Sequence, residues 1–143
     1  MTVKQISVFV ENKPGKLAEL TDYLHQHDID MRALSIAEAQ DFGIVRMIVD
    51  DPYKTSQVLK EAGYVVSITP VLAVEMSDEP GSLYQILKIL GDGGVNLDYT
   101  YAFLSQKAST AYMILRVADN EKAIEVLGKS GIRPVCQDTI VDL

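Results

Sequence analysis

Cysteine is nearly absent from this chain of 143 residues: Cys136 stands alone. A single thiol excludes an intrachain disulfide and a multi-cysteine zinc site, and it fits a reducing, cytoplasmic setting. Its apolar context, PVCQD, has no cationic neighbour in sequence, so an inert buried thiol is expected rather than a nucleophile. Histidine is almost as scarce. His25 and His27 stand two apart on an expected helix, point to different faces and make a poor metal pair; solvated positions are expected for both. No run approaches the roughly 20 apolar residues of a membrane span. The opening MTVKQISVFVE lacks the apolar h-region and small-residue cleavage site of a signal peptide. No membrane partner is expected. Neither G-x-x-x-x-G-K-[ST] nor G-x-G-x-x-G occurs, so a nucleotide-phosphate loop is not supported. Basic residues are few, 13 against 20 acidic, for a formal charge of −7. The deficit is spread as −3 over residues 1–70 and −4 over 71–143. No basic stripe is present, which argues against a nucleic-acid partner. Acidity of this kind serves solubility.

What is present is a repeat. The hydrophobic fraction of 48% supports a substantial core, and the length suits one ordinary domain or two small ones. Pro-Gly steps stand at 14–15 and 80–81, an offset of 66. At that offset Val8 matches Val74, Leu17 matches Leu83, Leu24 matches Leu90 and Met47 matches Met113. After a two-residue insertion Asp51 meets Asp119, Val58 meets Val126 and Gly63 meets Gly131. The period exceeds that of common solenoids. The pattern reads as a duplicated module of about 70 residues, residues 1–69 and 70–143, divided at Thr69-Pro70.

Each copy shows one order of elements. KQISVFV alternates and is rich in β-branched residues, as a strand does. A helix follows over 15–27, with Leu17, Leu20 and Leu24 on one face. DMRALSIAEAQ and FGIVRMIVD read as a hairpin. DPYKTSQVLKEAG reads as a helix capped by Asp51, with Pro52 in its first turn and Gly63 past its end. YVVSIT closes the copy as a strand. In the second copy VLAVEM, a helix over 81–92, NLDYTYAFL, STAYMILRV, a helix over 120–129 and IRPVCQDTI follow the same order, with GDGG at 91–94 as helix stop and turn. The fold class expected is α+β: two ferredoxin-like βαββαβ modules, each an antiparallel four-stranded sheet with both helices on one face. Side-by-side pairing of the modules would extend the sheet and hide an edge; packing of further surface against a second chain is the other arrangement open, and half-covered sheets favour a homodimer.

The first helix of each copy starts at the Pro-Gly turn. Its leading amides have no intrahelical partner and form a partly positive pocket that suits a carboxylate. Glycine lets a ligand approach the backbone. Asn12 and Asp78 precede the turn glycines by three residues; Asp78 is suited to pair with an ammonium. On local sequence both readings stand: a helix end plus a carboxylate or amide matches the two ends of an amino acid, but Asn or Asp here also caps helices, and Ser82 with Gln85 fits a capping box. The strand DYTYAF places Tyr99, Tyr101 and Phe103 on one face, either to stack RNA or to pack, and the acidic balance favours packing. Asp28/Asp30 and Asp50-Asp51 fall at loops and caps. Nothing demands catalysis, so no enzyme activity, metal or cofactor is expected.

The stretch from Ile6 to Met31, ISVFVENKPGKLAELTDYLHQHDIDM, resembles the opening of an ACT domain: an apolar strand, a polar-x-Pro-Gly-x-Leu turn, a helix and a short step into the second strand. VLAVEMSDEPGSLYQILKILGDGGVNLDY resembles a second copy, with Gly94 to Leu97 the closer match, and the resemblance covers nearly the whole chain. It implies a non-catalytic regulatory protein that binds an amino acid or related metabolite where modules meet, between the turn and the start of the second strand. The implied ligand-binding residues are Asn12, Pro14, Gly15, Lys16, Leu17, Asp30 and Met31 in copy one. In copy two they are Asp78, Gly81, Ser82, Leu83, Asn96 and Leu97. Copy one departs from the pattern, with HDIDM where Gly-Val-Asn-Leu is expected; Asp30 only accepts hydrogen bonds whereas Asn96 also donates, so the two sites are expected to differ. The implied partners are a small metabolite and a metabolic enzyme on a separate chain. The alternative within the fold is a regulatory subunit of a biosynthetic enzyme such as acetolactate synthase, acting mainly by protein contact.

Overall fold

A computed structural model describes residues 1–103, 105–106 and 108–143. The chain divides into two compact units, one of Lys4–Thr69 and one of Pro70–Leu143 together with Met1–Val3. The fold is α+β, with six antiparallel strands and five helices among the described residues. Among the described residues no helix is long and apolar enough to cross a membrane.

The first unit contains β1 (Val3–Glu11), α1 (Lys16–Gln26), β2 (Met31–Glu38), β3 (Phe42–Val49), α2 (Pro52–Glu61) and the first residues of β4 (Val66–Ser77). The strand order is β2–β3–β1. Opposite residues across the ladder face the same side: Ile6 stands across from Met47, and Met47 from Leu34. One face of β1, formed by Ile6, Val8 and Val10, packs with Val45 and Met47 beneath Leu20 and Leu24 of α1 and Leu59 of α2. Each such side chain contributes about 1.5–3 kcal/mol by leaving water.

The second unit continues β4 and adds α3 (Ser82–Asp92), β5 (Leu97–Phe103), β6 (Thr110–Val117), α4 (Asn120–Lys129) and α5 (Gln137–Val141). Its order is β4–β6–β5. Leu72, Val74, Met113, Leu115 and Val117 pack against Ile86, Leu90, Ala123 and Leu127. Both second strands carry a register irregularity at matching places, between Met31 and Ala33 and between Leu97 and Tyr99.

Several expectations are corrected. YVVSIT and VLAVEM are not separate strands: β4 runs unbroken through Pro70, which is exposed and whose carbonyl accepts from Asn120 Nδ2 at 3.1 Å. IRPVCQDTI is not a strand. Val135 donates to Ala73 O at 2.8 Å, but Pro134 has no amide for a ladder, and Gln137–Val141 turns into α5 with Ile140 buried. β4 lies beside β1, and Phe9 N donates to Val65 O at 3.1 Å just ahead of it, so the first residues of β4 supply the fourth strand expected in the first unit, in the order β2–β3–β1–β4; the fourth strand expected of IRPVCQDTI in the second unit does not form. Cys136 is exposed, not buried. His27 is only partly solvated: its ring lies 4.4 Å from that of Tyr23, and Nδ1 sits 2.9 Å from Tyr23 O. Leu17 is 40% exposed and does not join Leu20 and Leu24 in the core. Tyr101 and Phe103 are buried, and Phe103 meets Tyr112 edge-on, so these aromatics pack. Leu104, expected to end the same strand, lies outside the described residues.

Candidate functional site

The chain leaves β1 at Glu11 and reaches α1 through Asn12–Gly15. Gly15 has φ 84°, a left-handed conformation open to glycine, and nothing lies within 4 Å of where a Cβ would stand. The first helical amide, Lys16 N, bonds back to Lys13 O at 3.3 Å. The amides of Leu17 and Ala18 have no partner among the described residues, and no side chain caps the helix. Asn12 does not cap it. Its backbone amide donates to Asp41 O and its Nδ2 to Ala39 O, both at 3.1 Å, which tie the turn to the β2–β3 connection. Lys13 pairs with Glu11 at 2.8 Å. That hydrogen bond and charge hold the Glu11 carboxyl below its ordinary range and the Lys13 ammonium above its own.

The second turn repeats this backbone. Gly81 has φ 90°, Ser82 N bonds back to Glu79 O at 3.2 Å, and α3 has no side-chain cap. The capping box expected of Ser82 and Gln85 does not form, because Ser82 is already the first helical residue. Asp78 is exposed and held by its backbone amide on Ser109 O at 3.0 Å. The other two long helices differ: Asp51 Oδ1 accepts from Lys54 N at 3.0 Å, and Asp119 Oδ1 from Lys122 N at 3.1 Å. Side-chain caps thus close α2 and α4, whereas α1 and α3 present open N-termini, the positive ends of their dipoles.

Beside the first turn lies a cavity of about 210 Å³. Its polar wall includes Glu11, Asn12, Lys13, Gly15 and Glu38, and its apolar wall is Val10, Leu17, Ala18 and Ile36. Val10, Ala18, Ile36 and Glu38 were not expected at the site. Strand alternation puts Ile36 and Glu38 on one face, but their position across from the turn follows only from β2 reaching the same end of the sheet. A wider cleft of about 560 Å³ lies on the same unit, beside Tyr23 and Tyr64. Its carboxylates are engaged, Glu19 by Lys16 and Asp22 by Gln26. Burial, followed by the charge of Glu19, raises the Tyr64 hydroxyl above its ordinary range. In the second unit a cleft of about 370 Å³ is lined by residues that include Glu75, Ser77 and Arg133 but not Gly81.

The expected residues are brought together only in part. Asn12, Gly15 and Leu17 line the 210 Å³ cavity; Pro14 and Lys16 lie in the same turn. Asp30 and Met31 stand at the other end of β2, about 23 Å away at the rise of a strand. Asp30 Oδ2 pairs there with Arg32 Nε at 3.2 Å, and the Asp30 amide donates to Asp50 Oδ1 at 3.2 Å. The second unit repeats the separation, with Asn96 and Leu97 opening β5 far from Gly81, Ser82 and Leu83. Within one unit, turn and strand entry do not form one site. No group of three or more potential metal-ligating side chains occurs among the described residues.

Duplicated open-ended helices after Pro-Gly turns accompany a family match over residues 1–143, to the ACT domain pair. The chain belongs to the ACT domain pair family. A solved relative is protein BT0572 from Bacteroides thetaiotaomicron, 37% identical, with 100% of this chain and 98% of that one covered at a TM-score of 0.91. The regulatory subunit of aspartate kinase from Thermus thermophilus, in ligand-free form, shares the fold at 14% identity and a TM-score of 0.64, covering 88% of this chain and 90% of that one. The corresponding subunit from Thermus flavus is 12% identical at 0.62, with 90% and 92% covered. No curated protein matches the sequence significantly. ACT domain pairs are regulatory modules and typically non-catalytic.

Proposed function

We propose that this ACT domain pair is a regulatory protein that binds an amino acid or a related carboxylate metabolite, with the first turn as anchor. The observation that carries the reading is the 210 Å³ cavity at the uncapped start of α1. It is smaller than the roughly 300–1,000 Å³ of drug-sized sites, which suits a ligand of amino-acid size. The amides of Leu17 and Ala18 offer donors to a carboxylate; Glu11 and Glu38 offer acceptors to an ammonium; Leu17, Ala18 and Ile36 take a side chain. Binding acts by population shift, favouring whichever state holds the ligand better, and a separate metabolic enzyme reads the outcome.

The test is a thermal-shift panel of the twenty amino acids. Ligand at 100 times its Kd stabilises by about 2.7 kcal/mol, a rise of several degrees. Ala18→Asp separates binding from folding. A carboxylate in the first turn of α1 favours the helix by about 0.3–1 kcal/mol but repels a bound carboxylate. The variant is expected to melt at or slightly above the wild-type temperature and to lose the ligand-induced rise. An unchanged rise in Ala18→Asp would exclude this cavity. No rise with any amino acid, together with ligand-free retention of a biosynthetic enzyme, would favour the contact reading instead.

A further inference from the structure

The cleft of about 560 Å³ in the first unit takes no part in the function proposed above. It is lined by α1, through Lys16, Glu19, Asp22 and Tyr23, by the end of β1, and by residues 62–65 beyond α2. Two aromatic side chains meet there. Tyr64 is half-buried against the core, and its ring lies 6.4 Å from that of Tyr23, tilted by 49°. Tyr23 is held in place, since its hydroxyl donates to Val58 O and the His27 ring lies against its own. Glu11, Glu19 and Asp22 share the lining with the Lys16 ammonium, so negative charge prevails. Glu19 meets Lys16 through Oε2, and Asp22 accepts from Gln26 through Oδ2. Each contact uses one oxygen, whereas a carboxylate has about four acceptor positions.

Such a lining repels anions and suits a cation. A bare metal ion needs several ligands converging on one point, and no group of three or more potential ligands occurs among the described residues. An organic cation needs no such convergence: ring faces attract it through their quadrupoles, and carboxylates through their charge. The second unit supplies a contrast. Residues 9–11 and 63–65 align with 75–77 and 131–133, and those residues line its cleft of about 370 Å³. The groove is thus a property of the fold, but its chemistry is not shared. Ile132 stands in the place of Tyr64, and α3 carries Gln85, Lys88 and Ile89 in the places of Glu19, Asp22 and Tyr23.

We propose that this cleft of the first unit binds a small organic ammonium, an amine with a hydrocarbon or aromatic body, through the rings of Tyr23 and Tyr64 and the carboxylates of Glu19 and Asp22. Its volume falls within the roughly 300–1,000 Å³ of small-molecule sites. Such an amine carries no carboxylate for the amides of the first turn, so the inference does not rest on the function proposed above.

The experiment titrates the full chain with 2-phenylethylammonium chloride by calorimetry, at physiological salt to screen unspecific attraction to an acidic protein. The neutral counterpart 2-phenylethanol and the anion 3-phenylpropionate are titrated alongside. Saturable binding of the ammonium is expected, with a Kd about tenfold or more below that of either counterpart. Asp22→Lys with Tyr64→Ile gives the cleft the residues of the second unit and is expected to raise the Kd about 30-fold or more; circular dichroism checks that the variant folds. Asp22→Asn, a change at an exposed position, is expected to raise it about threefold with the fold intact. Nuclear Overhauser contacts between the probe and the Tyr64 ring are expected in the wild type. Absence of saturable binding, equal affinity for the alcohol, a Kd that neither variant raises, or a probe without contacts to Tyr64 would overturn the proposal.

Discussion

The two units share a plan and differ where the first helix ends. His27 in the first unit aligns with Gly93 in the second. The His27 ring lies against Tyr23, whose hydroxyl donates to Val58 O at 3.2 Å across to α2. At Gly93 there is no such room: an added Cβ would stand well inside contact distance of Val126 Cγ1 and 2.7 Å from Cγ2. Val58 and Val126 are themselves equivalent positions, so the same helix pair is spaced by an aromatic and an imidazole in one copy and closed onto glycine in the other. The following residue differs in kind as well. Asp28 holds φ 55° where Gly94 holds 74°. At the other end of the helix, Leu83 packs against its core while Leu17 is left exposed beside a cavity. Duplication preserved the backbone path, and divergence of a few side chains changed which end of each module is filled.

Gly93→Ala tests this contrast most severely. Overpacking against Val126 is expected to cost about 1–3 kcal/mol in urea unfolding, and Val126→Ala in the same chain is expected to recover most of it. His27→Ala, at the equivalent place, creates no clash and loses the ring contact with Tyr23, about 0.5–1.5 kcal/mol, together with the contact of Nδ1 with Tyr23 O. Equal losses would show that the spacing of the helices does not differ.

The contrast between capped and open helices is sharpened by four alanines. Asp51→Ala and Asp119→Ala are each expected to cost about 1 kcal/mol, since each removes a side-chain acceptor from a helix N-terminus. Neither Asn12 nor Asp78 caps a helix: Asp78→Ala is expected to stay within about 0.5 kcal/mol, and Asn12→Ala to lose only its exposed bond to Ala39 O, about 0.5–1 kcal/mol. A cap-sized loss at Asp78 would mean that the second turn is closed by its side chain.

Left-handed backbone gives a smaller difference. Gly94→Ala is expected to cost about 1 kcal/mol, whereas Asp28→Gly relieves strain and is expected to gain a few tenths, measured by thermal melts. The smallest effect is that of pH on the first turn. The Glu11 carboxyl is depressed by Lys13, so its contribution is present above about pH 4.3 and fades as pH falls through the lower folded value. The Lys13 ammonium is raised by Glu11, so its contribution is present below about pH 10.4 and fades as pH rises through the higher folded value. Lys13→Met is expected to move the Glu11 titration upward in NMR while changing stability little, as both groups are exposed.

Much of this was legible in the chain. Asp51-Pro52 and the glycine at 63 marked α2 correctly, and α4 begins and ends where its pattern did. The closing segment of the second copy was misread because its apolar residues fit a strand, while Pro134 and the tertiary burial of Ile140 decide otherwise. Ile36 and Glu38 were missed because their apposition to the turn depends on how far β2 runs relative to α1, not on any local signal.

Alternation, Pro-Gly turns and aspartate caps act over a few residues, so the sequence by itself determined the repeat and the order of elements as far as α4, apart from the joining of two strands into β4. Which helix ends stay without a side-chain cap, which leucine of a repeated pair is buried, and which strand is left as an edge were decided only by the tertiary structure. Those outcomes depend on the space that distant residues fill, and a repeated motif carries no record of its neighbours.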